Sequence, residues 1–158
     1  MDTFEMPGHL IRRLHQQSTH IFLQRTQEAG FDLTAVQFAA LDAIHAHPAS
    51  DQAHVAEWIG YDRATIGGVI DRLEKKGWVR RVVSERDRRA RELSLTPEGE
   101  RVRSELWPIV QSLQKEILQS LSATESACFL KLARQAVVWR RDAPETTNAT
   151  PSDSAAST

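Results

Sequence analysis

Residues 62–81 read DRATIGGVIDRLEKKGWVRR, and their periodicity changes at Gly77. Before this glycine, four apolar residues recur at helical spacing: Ile66, Val69, Ile70 and Leu73. Asp62 is a residue type that often caps a helix N-terminus, and glycine is common just after a helix end. We therefore predict a helix over residues 62–76.

The flanking segments predict a hairpin after this helix and a second helix before it. Residues 78–83 are apolar and β-branched, residues 92–96 alternate, and an arginine-rich turn separates them. A short helix after Asp51, followed by a tight turn at Gly60 and Tyr61, has helix-turn-helix spacing. Residues 33–99 are thus predicted to form a winged helix-turn-helix domain.

Other helices flank this domain. Thr34 with Gln37 has the capping-box pattern of a helix start. The helix that precedes Thr34 is indicated by an amphipathic stripe, which ends at Gly30. A helix opened by Thr96-Pro97 is expected over residues 97–121 and would extend about 36 Å. Since this is longer than a small core requires, we predict that residues 8–30 and 100–141 are dimerisation helices that pair two copies as a homodimer. Residues 142–158 are rich in Ser, Thr, Ala and Pro and are predicted to be a disordered tail.

The composition excludes several classes of protein. The longest apolar runs are four residues, far below the roughly 20 of a membrane span, so we expect no membrane partner. A single cysteine, Cys128, rules out an internal disulfide framework and fits a cytoplasmic protein; we interpret it as inert packing. The histidines lack helical metal-site spacing, and no nucleophile–base set is present. We predict no enzyme activity, no cofactor and no metal.

Charge is concentrated in one segment of the chain. Residues 72–91 hold nine basic and three acidic residues, a net charge of +6, which leaves −7 for the other 138 residues. This pattern favours a site for a polyanion such as double-stranded DNA. A solvated charged hairpin is the alternative interpretation.

Four motifs carry a family resemblance: DRATI at 62–66, DRLEKKGWVRR at 71–81, DRRA at 87–90 and LSLTPEG at 93–99. With this spacing, residues 10–140 resemble the MarR-type winged-helix transcriptional regulators. The resemblance implies a mainly α fold with a small β-hairpin. We expect a homodimer on a pseudo-palindromic operator, because one winged helix has a small interface and two recognition helices about 34 Å apart reach successive major grooves.

The predicted recognition helix presents its N-terminal residues to base edges, so Arg63, Thr65 and Ile66 are candidate DNA contacts. Arg63 could form hydrogen bonds with a guanine, or it could be a solvated arginine at the helix start. Ile66 could contact a thymine methyl group, or it could pack in the core. Arg72 joins this DNA-binding set. The pair at residues 67–68, Gly-Gly, is expected to allow close approach either to DNA or to a neighbouring helix.

In the wing, Arg86 and Arg88 are expected to enter the minor groove, where narrow A·T segments concentrate negative potential. Arg89 belongs to the same candidate set. The family resemblance implies that Asp87 holds one arginine in place by an ion pair, and Arg89 is the expected partner.

The start of the first helix, PGHLIRRL at residues 7–14, resembles a subgroup that responds to aromatic carboxylates. The resemblance implies that Arg12 binds the ligand carboxylate, a task that suits a guanidinium fork. His9 and His15 could bond a ring hydroxyl, and Phe38 could pack on the ring. Each of these is alternatively a surface or dimer-interface residue.

These observations predict a homodimeric repressor of an aromatic-compound catabolic operon, released from DNA by a small aromatic acid. A winged helix used only for protein contacts is the alternative, and steep salt dependence of DNA affinity would distinguish the two. An enzyme with a metal or acid–base site is a third hypothesis, which the missing residue constellations disfavour.

Overall fold

The computed structural model describes residues 2–83 and 91–137. Its elements are α1 (Pro7–Glu28), α2 (Ala35–Ala46), α3 (Gln52–Trp58), α4 (Ile66–Lys75), β1 (Val79–Val83), β2 (Arg91–Leu95), α5 (Pro97–Ile117) and α6 (Ala123–Ala136), after a 3₁₀ turn at Thr3–Glu5. The two strands pair antiparallel, with Val79 opposite Leu95. The prediction of a mainly helical fold with one hairpin is confirmed.

The chain divides into two units, Met1–Gln119 and Ser120–Thr158. The first unit holds α1 to α5 and both strands, and the second holds α6. The predicted boundaries of the dimerisation segments remain a prediction, and the predicted tail at 142–158 lies outside the described residues.

Local hydrogen bonds begin the helices where the sequence predicts. Thr34 and Gln37 form both bonds of a capping box at α2, and the Thr96 hydroxyl accepts from the backbone N–H of Gly99 at α5. Gly77 has a φ of 74°, which turns the chain from α4 into β1 without the steric cost that a side chain would add.

Two predicted boundaries are wrong. The α4 helix begins at Ile66 and not at Asp62, because Asp62 instead caps a turn at residues 63–65: its side chain accepts from the N–H of Ala64. The α5 helix ends at Ile117, four residues before the predicted end, since residues 118–121 form the connection to the Ser122 cap of α6.

A third backbone segment joins the hairpin. The N–H of Leu93 donates to the carbonyl of Ser50 (2.8 Å), and the N–H of Ala49 donates to the carbonyl of Leu93 (3.2 Å). Ala49 has a φ of 63°, an uncommon backbone conformation for a residue with a side chain. The connection between α2 and α3 is therefore attached to β2.

The core of the first unit lies under α4. It combines the apolar face of α4 with Leu41 of α2, Leu93 of β2 and Leu106 of α5, all of them buried. A bidentate ion pair from Arg25 of α1 to Glu116 of α5 (2.8 Å for each bond) adds a polar contact between the two long helices. These contacts fix the position of α4 relative to the helices on both sides of it.

The α6 helix has no buried residue. Its capping box joins Ser122 and Glu125, and its side chains Leu130 and Leu132 are exposed. Cys128 is exposed as well, so the interpretation of this residue as packing is wrong for the single chain. Within the described residues, no helix has the length and apolar character that crossing a membrane requires.

Candidate nucleic-acid interface

The α4 helix has two distinct faces. Its four apolar residues, Ile66, Val69, Ile70 and Leu73, are buried. The other face exposes Gly68, Asp71, Arg72 and Lys75. A buried apolar stripe beside an exposed polar stripe is the arrangement that a recognition helix requires, since one face holds the domain and the other meets a groove.

Arg63 and Thr65 lie in the turn just before α4. The Arg63 side chain is 70% exposed, and its Nη2 lies 3.8 Å from Oε2 of Glu57. The Thr65 hydroxyl donates to the carbonyl of Asp62 (3.1 Å), and Thr65 is the N-cap residue of the helix. Both residues are exposed at the helix N-terminus, where a groove-binding helix contacts bases and phosphates.

Ile66 is fully buried, with 0% relative exposure, so it does not offer a methyl contact to thymine. It belongs to the apolar core, which was the other role that the sequence left open. The physical reason is the later start of α4, which makes Ile66 the first residue of the inward stripe.

The two glycines of α4 have different surroundings. A Cβ added to Gly67 would lie 3.3 Å from Nε2 of Gln52 on α3, whereas a Cβ added to Gly68 would meet nothing within 4 Å. Gly67 therefore faces the neighbouring helix. Gly68 leaves a bare stretch of backbone on the exposed face.

A group of cations lies at the C-terminal end of α4. Arg72 and Lys75, with Lys76, line a cavity of about 360 Å³ between α4 and the connection that precedes α2. Lys76 donates to the carbonyl of Asp32 (2.6 Å), and its Nζ lies 4.9 Å from the centre of the Trp78 ring. Lys76 is thus half-buried and bonded within the domain, while Arg72 and Lys75 are exposed.

Arg81 attaches the hairpin to α4. Its guanidinium bonds the carboxylates of Asp71 and Glu74, and its side chain is only 25% exposed. Burial lowers the pKa of Arg81, but the hydrogen bonds and charges of the two carboxylates outweigh it and raise that pKa above its ordinary value. This role was not predicted from the sequence, because Asp71 and Arg81 are ten residues apart and no local pattern relates them.

Two of the nine basic residues counted in segment 72–91, Lys76 and Arg81, thus make contacts within the domain. Arg80 on β1 donates from Nε to the hydroxyl of Ser94 (2.9 Å) and is exposed. The predicted wing contacts Arg86, Arg88 and Arg89 lie outside the described residues, as does the predicted partner Asp87.

Two of the four predicted ligand residues are neighbours. The Nη2 of Arg12 lies 3.4 Å from Nδ1 of His9, and both are on the first turns of α1. His15 is exposed further along the same helix. An exposed guanidinium beside an imidazole can bind a carboxylate and an adjacent hydroxyl.

Phe38 lies in the core. Its ring packs against Phe22 of α1 (6.2 Å between ring centres) and against Trp107 of α5 (6.4 Å), and it is 5% exposed. The guanidinium of Arg103 lies 4.7 Å from the centre of the Trp107 ring and is bonded to Asp42 of α2. The sequence contains no local signal for this group, because its members come from three helices.

Comparisons with known proteins agree with this geometry. Residues 31–90 match the model of the MarR family. The chain is 37% identical over 127 residues to the transcriptional regulator HosA of Escherichia coli, covering 80% of this chain and 91% of that regulator. It is 32% identical over 136 residues to the HTH-type transcriptional repressor NicR of Pseudomonas putida, covering 86% of this chain and 85% of NicR.

Among solved structures, a similar fold is that of BpsR from Bordetella bronchiseptica, whose DNA binding is regulated by 6-hydroxynicotinic acid. The TM-score is 0.79 with 29% identity, and the match covers 86% of this chain and 96% of BpsR. HosA and NicR are transcriptional regulators and not enzymes, in agreement with the sequence-based prediction. The chain belongs to the MarR family of winged-helix, DNA-binding transcriptional regulators.

Proposed function

We propose that this regulator is a homodimeric repressor of an operon for the catabolism of aromatic compounds, released from its operator by a small aromatic acid. It acts in the cytoplasm on a pseudo-palindromic operator. The observation that carries the DNA-binding part is the exposed face of α4, with Arg63 and Thr65 at its start and Arg72 along its length.

Exposed apolar side chains support the homodimer. Phe4 is 68% exposed and Ile11 is 67% exposed at the start of the first unit, and Leu130 and Leu132 are exposed on α6. Burying such side chains against a second copy would remove apolar surface from water, which favours association. Sedimentation of the purified chain should give twice its mass of 17.8 kDa, and a monomer would contradict the proposal.

The proposal that a small aromatic acid releases the regulator from DNA is supported by α1 and by the relatives. NicR is named a repressor, and BpsR responds to 6-hydroxynicotinic acid. In this chain, Arg12 and His9 present a guanidinium and an imidazole side by side at the start of α1. A ligand that favours the form unable to bind DNA by a few kcal/mol lowers operator occupancy about 100-fold.

The experiment compares two neighbouring arginines, Arg12 and Arg13, which are both exposed on α1. Duplexes selected from a random pool provide the operator, and fluorescence anisotropy measures affinity with and without 6-hydroxynicotinate and hydroxybenzoates. We expect Arg12→Ala to bind the duplex normally and to lose the response to acid. Arg13→Ala is the control and should keep both properties.

Loss of DNA binding in Arg12→Ala would show that Arg12 is structural, and a full acid response would exclude it from the ligand site. An Arg63→Ala variant tests the DNA part separately. It should weaken duplex binding by about 1–3 kcal/mol if the arginine reads a base.

A further inference from the structure

A cavity outside the interface described above lies beside the first turn of α3. Its volume is about 560 Å³, and it is lined by residues 46–51 together with His54, Trp58 and Glu92. This volume falls in the range of small-molecule sites. The wall comes from the connection between α2 and α3, from α3 itself and from β2.

One side of the cavity is a stack of rings. The indole of Trp58 is stacked on His47 with ring centres 4.1 Å apart, and His54 lies 5.8 Å from the same indole. Such a surface suits a planar ligand, since flat rings pack closely and an indole face attracts positive charge.

The segment that forms another side has two unusual features. The hydroxyl of Ser50 is buried and has no hydrogen-bond partner among the described residues. Its neighbour Ala49 has a φ of 63° and is held there by its bond to Leu93. Unsatisfied polar groups and strained backbone are costly to fold, so they are found most often where they serve a function.

The charge of the lining sets the class of ligand. Asp51 and Glu92 contribute carboxylates, and the described residues place no lysine or arginine in the lining. Asp51 accepts from the N–H of His54 (2.9 Å), which holds the pKa of that carboxyl below its ordinary value and keeps it ionised. These two carboxylates repel acids and attract cations.

The lining does not favour a metal ion. Within residues 2–83 and 91–137, no group of three or more His, Cys, Asp and Glu side chains is arranged to hold a metal. The ring stack and the carboxylates together match a ligand that has both a flat apolar part and a positive group.

We propose that this cavity binds a planar organic cation, an aromatic amine or amidine. Its ring packs against Trp58 and His47, and its positive group pairs with Glu92 and Asp51. The site is independent of the acid response proposed above and selects the opposite charge. Because Asp51 caps α3 and Glu92 lies on β2, the ligand joins α3 to the hairpin.

Two probes with the same ring and opposite charge test the proposal on the full chain. Benzamidine should shift the indole ¹H–¹⁵N signal of Trp58, assigned by its loss in Trp58→Phe, and benzoate should leave that signal unmoved. The proposal is overturned if millimolar benzamidine produces no shift or if benzoate produces an equal one.

Variants then test the charge pair between the ligand and Glu92. Glu92→Gln should weaken benzamidine binding by roughly tenfold or more, because a charge-assisted pair is lost. Glu105→Gln removes an exposed carboxylate that pairs with Arg101 and does not line the cavity, so it should bind as the unchanged protein does.

Unchanged affinity in Glu92→Gln would overturn the assigned charge pair.

Discussion

Gly68 is an exposed helical residue, and a Cβ added there meets nothing within 4 Å. Alanine favours helix over glycine because it restricts the unfolded backbone. We expect Gly68→Ala to raise the free energy of unfolding by about 0.5–1 kcal/mol. The same variant should weaken binding to the selected duplex, because the added methyl group separates the helix backbone from DNA. Urea unfolding and anisotropy measure the two effects.

Gly67→Ala is the matched control, since its added Cβ would lie 3.3 Å from the flexible side chain of Gln52. It should add less stability and leave duplex affinity unchanged. If Gly68→Ala also left the affinity unchanged, close approach of this part of α4 to DNA would be contradicted.

At the scale of elements, the pairing of Arg81 with Asp71 and Glu74 positions the hairpin against α4. Arg81→Met should lower the free energy of unfolding by about 1 kcal/mol, because two carboxylates lose their partner. It should change the salt dependence of DNA binding little, since this guanidinium already has protein partners. Thermal unfolding and anisotropy at several salt concentrations test this.

Arg72→Met gives the opposite pattern, because Arg72 is exposed on the same helix. Its Tm should stay close to that of the unchanged protein, while the slope of log affinity against log salt should fall by about one. If the slope of log affinity against log salt changed in Arg81→Met and stayed the same in Arg72→Met, Arg81 would be the DNA contact and Arg72 would not.

At the scale of the whole molecule, Arg25 and Glu116 connect α1 to α5. The hydrogen bonds from Arg25 lower the pKa of Glu116 below its usual 4.5, although burial and the charge of Glu28 act in the other direction. A carboxylate with a lowered folded-state pKa stabilises the fold above its unfolded pKa, and this contribution is lost as the pH falls through the folded value. Acidification below 4.5 should therefore lower the Tm.

Glu116→Gln should have a smaller acid-induced loss of Tm, because its side chain does not titrate. Glu5→Gln is the control, since Glu5 is exposed in the first turn of the chain. It should keep the full acid dependence. An equal loss in Glu116→Gln and the unchanged protein would show that the contact between α1 and α5 does not contribute.

The order of the helices and the hairpin was predictable because short-range signals specify it. The capping pairs at Thr34 and Ser122 and the glycine at Gly77 act within four residues, and the structure has each of them. The boundary of α4 was wrong because Asp62 is equally suited to cap a turn. Of the predicted DNA contacts in the described chain, Arg63, Thr65 and Arg72 are exposed, whereas Ile66 is buried.

The sequence by itself determined the winged-helix order, the apolar stripe of α4 and the excess of positive charge after Gly60, since periodicity and capping depend only on neighbouring residues. Only the tertiary structure decided which cations bond to other parts of the domain, as Lys76 does to Asp32. It also decided that Gly99 must lack a side chain, because a Cβ there would lie 2.0 Å from the carbonyl oxygen of Trp78. Such contacts join residues that are far apart in sequence, and they exist only once the chain has folded.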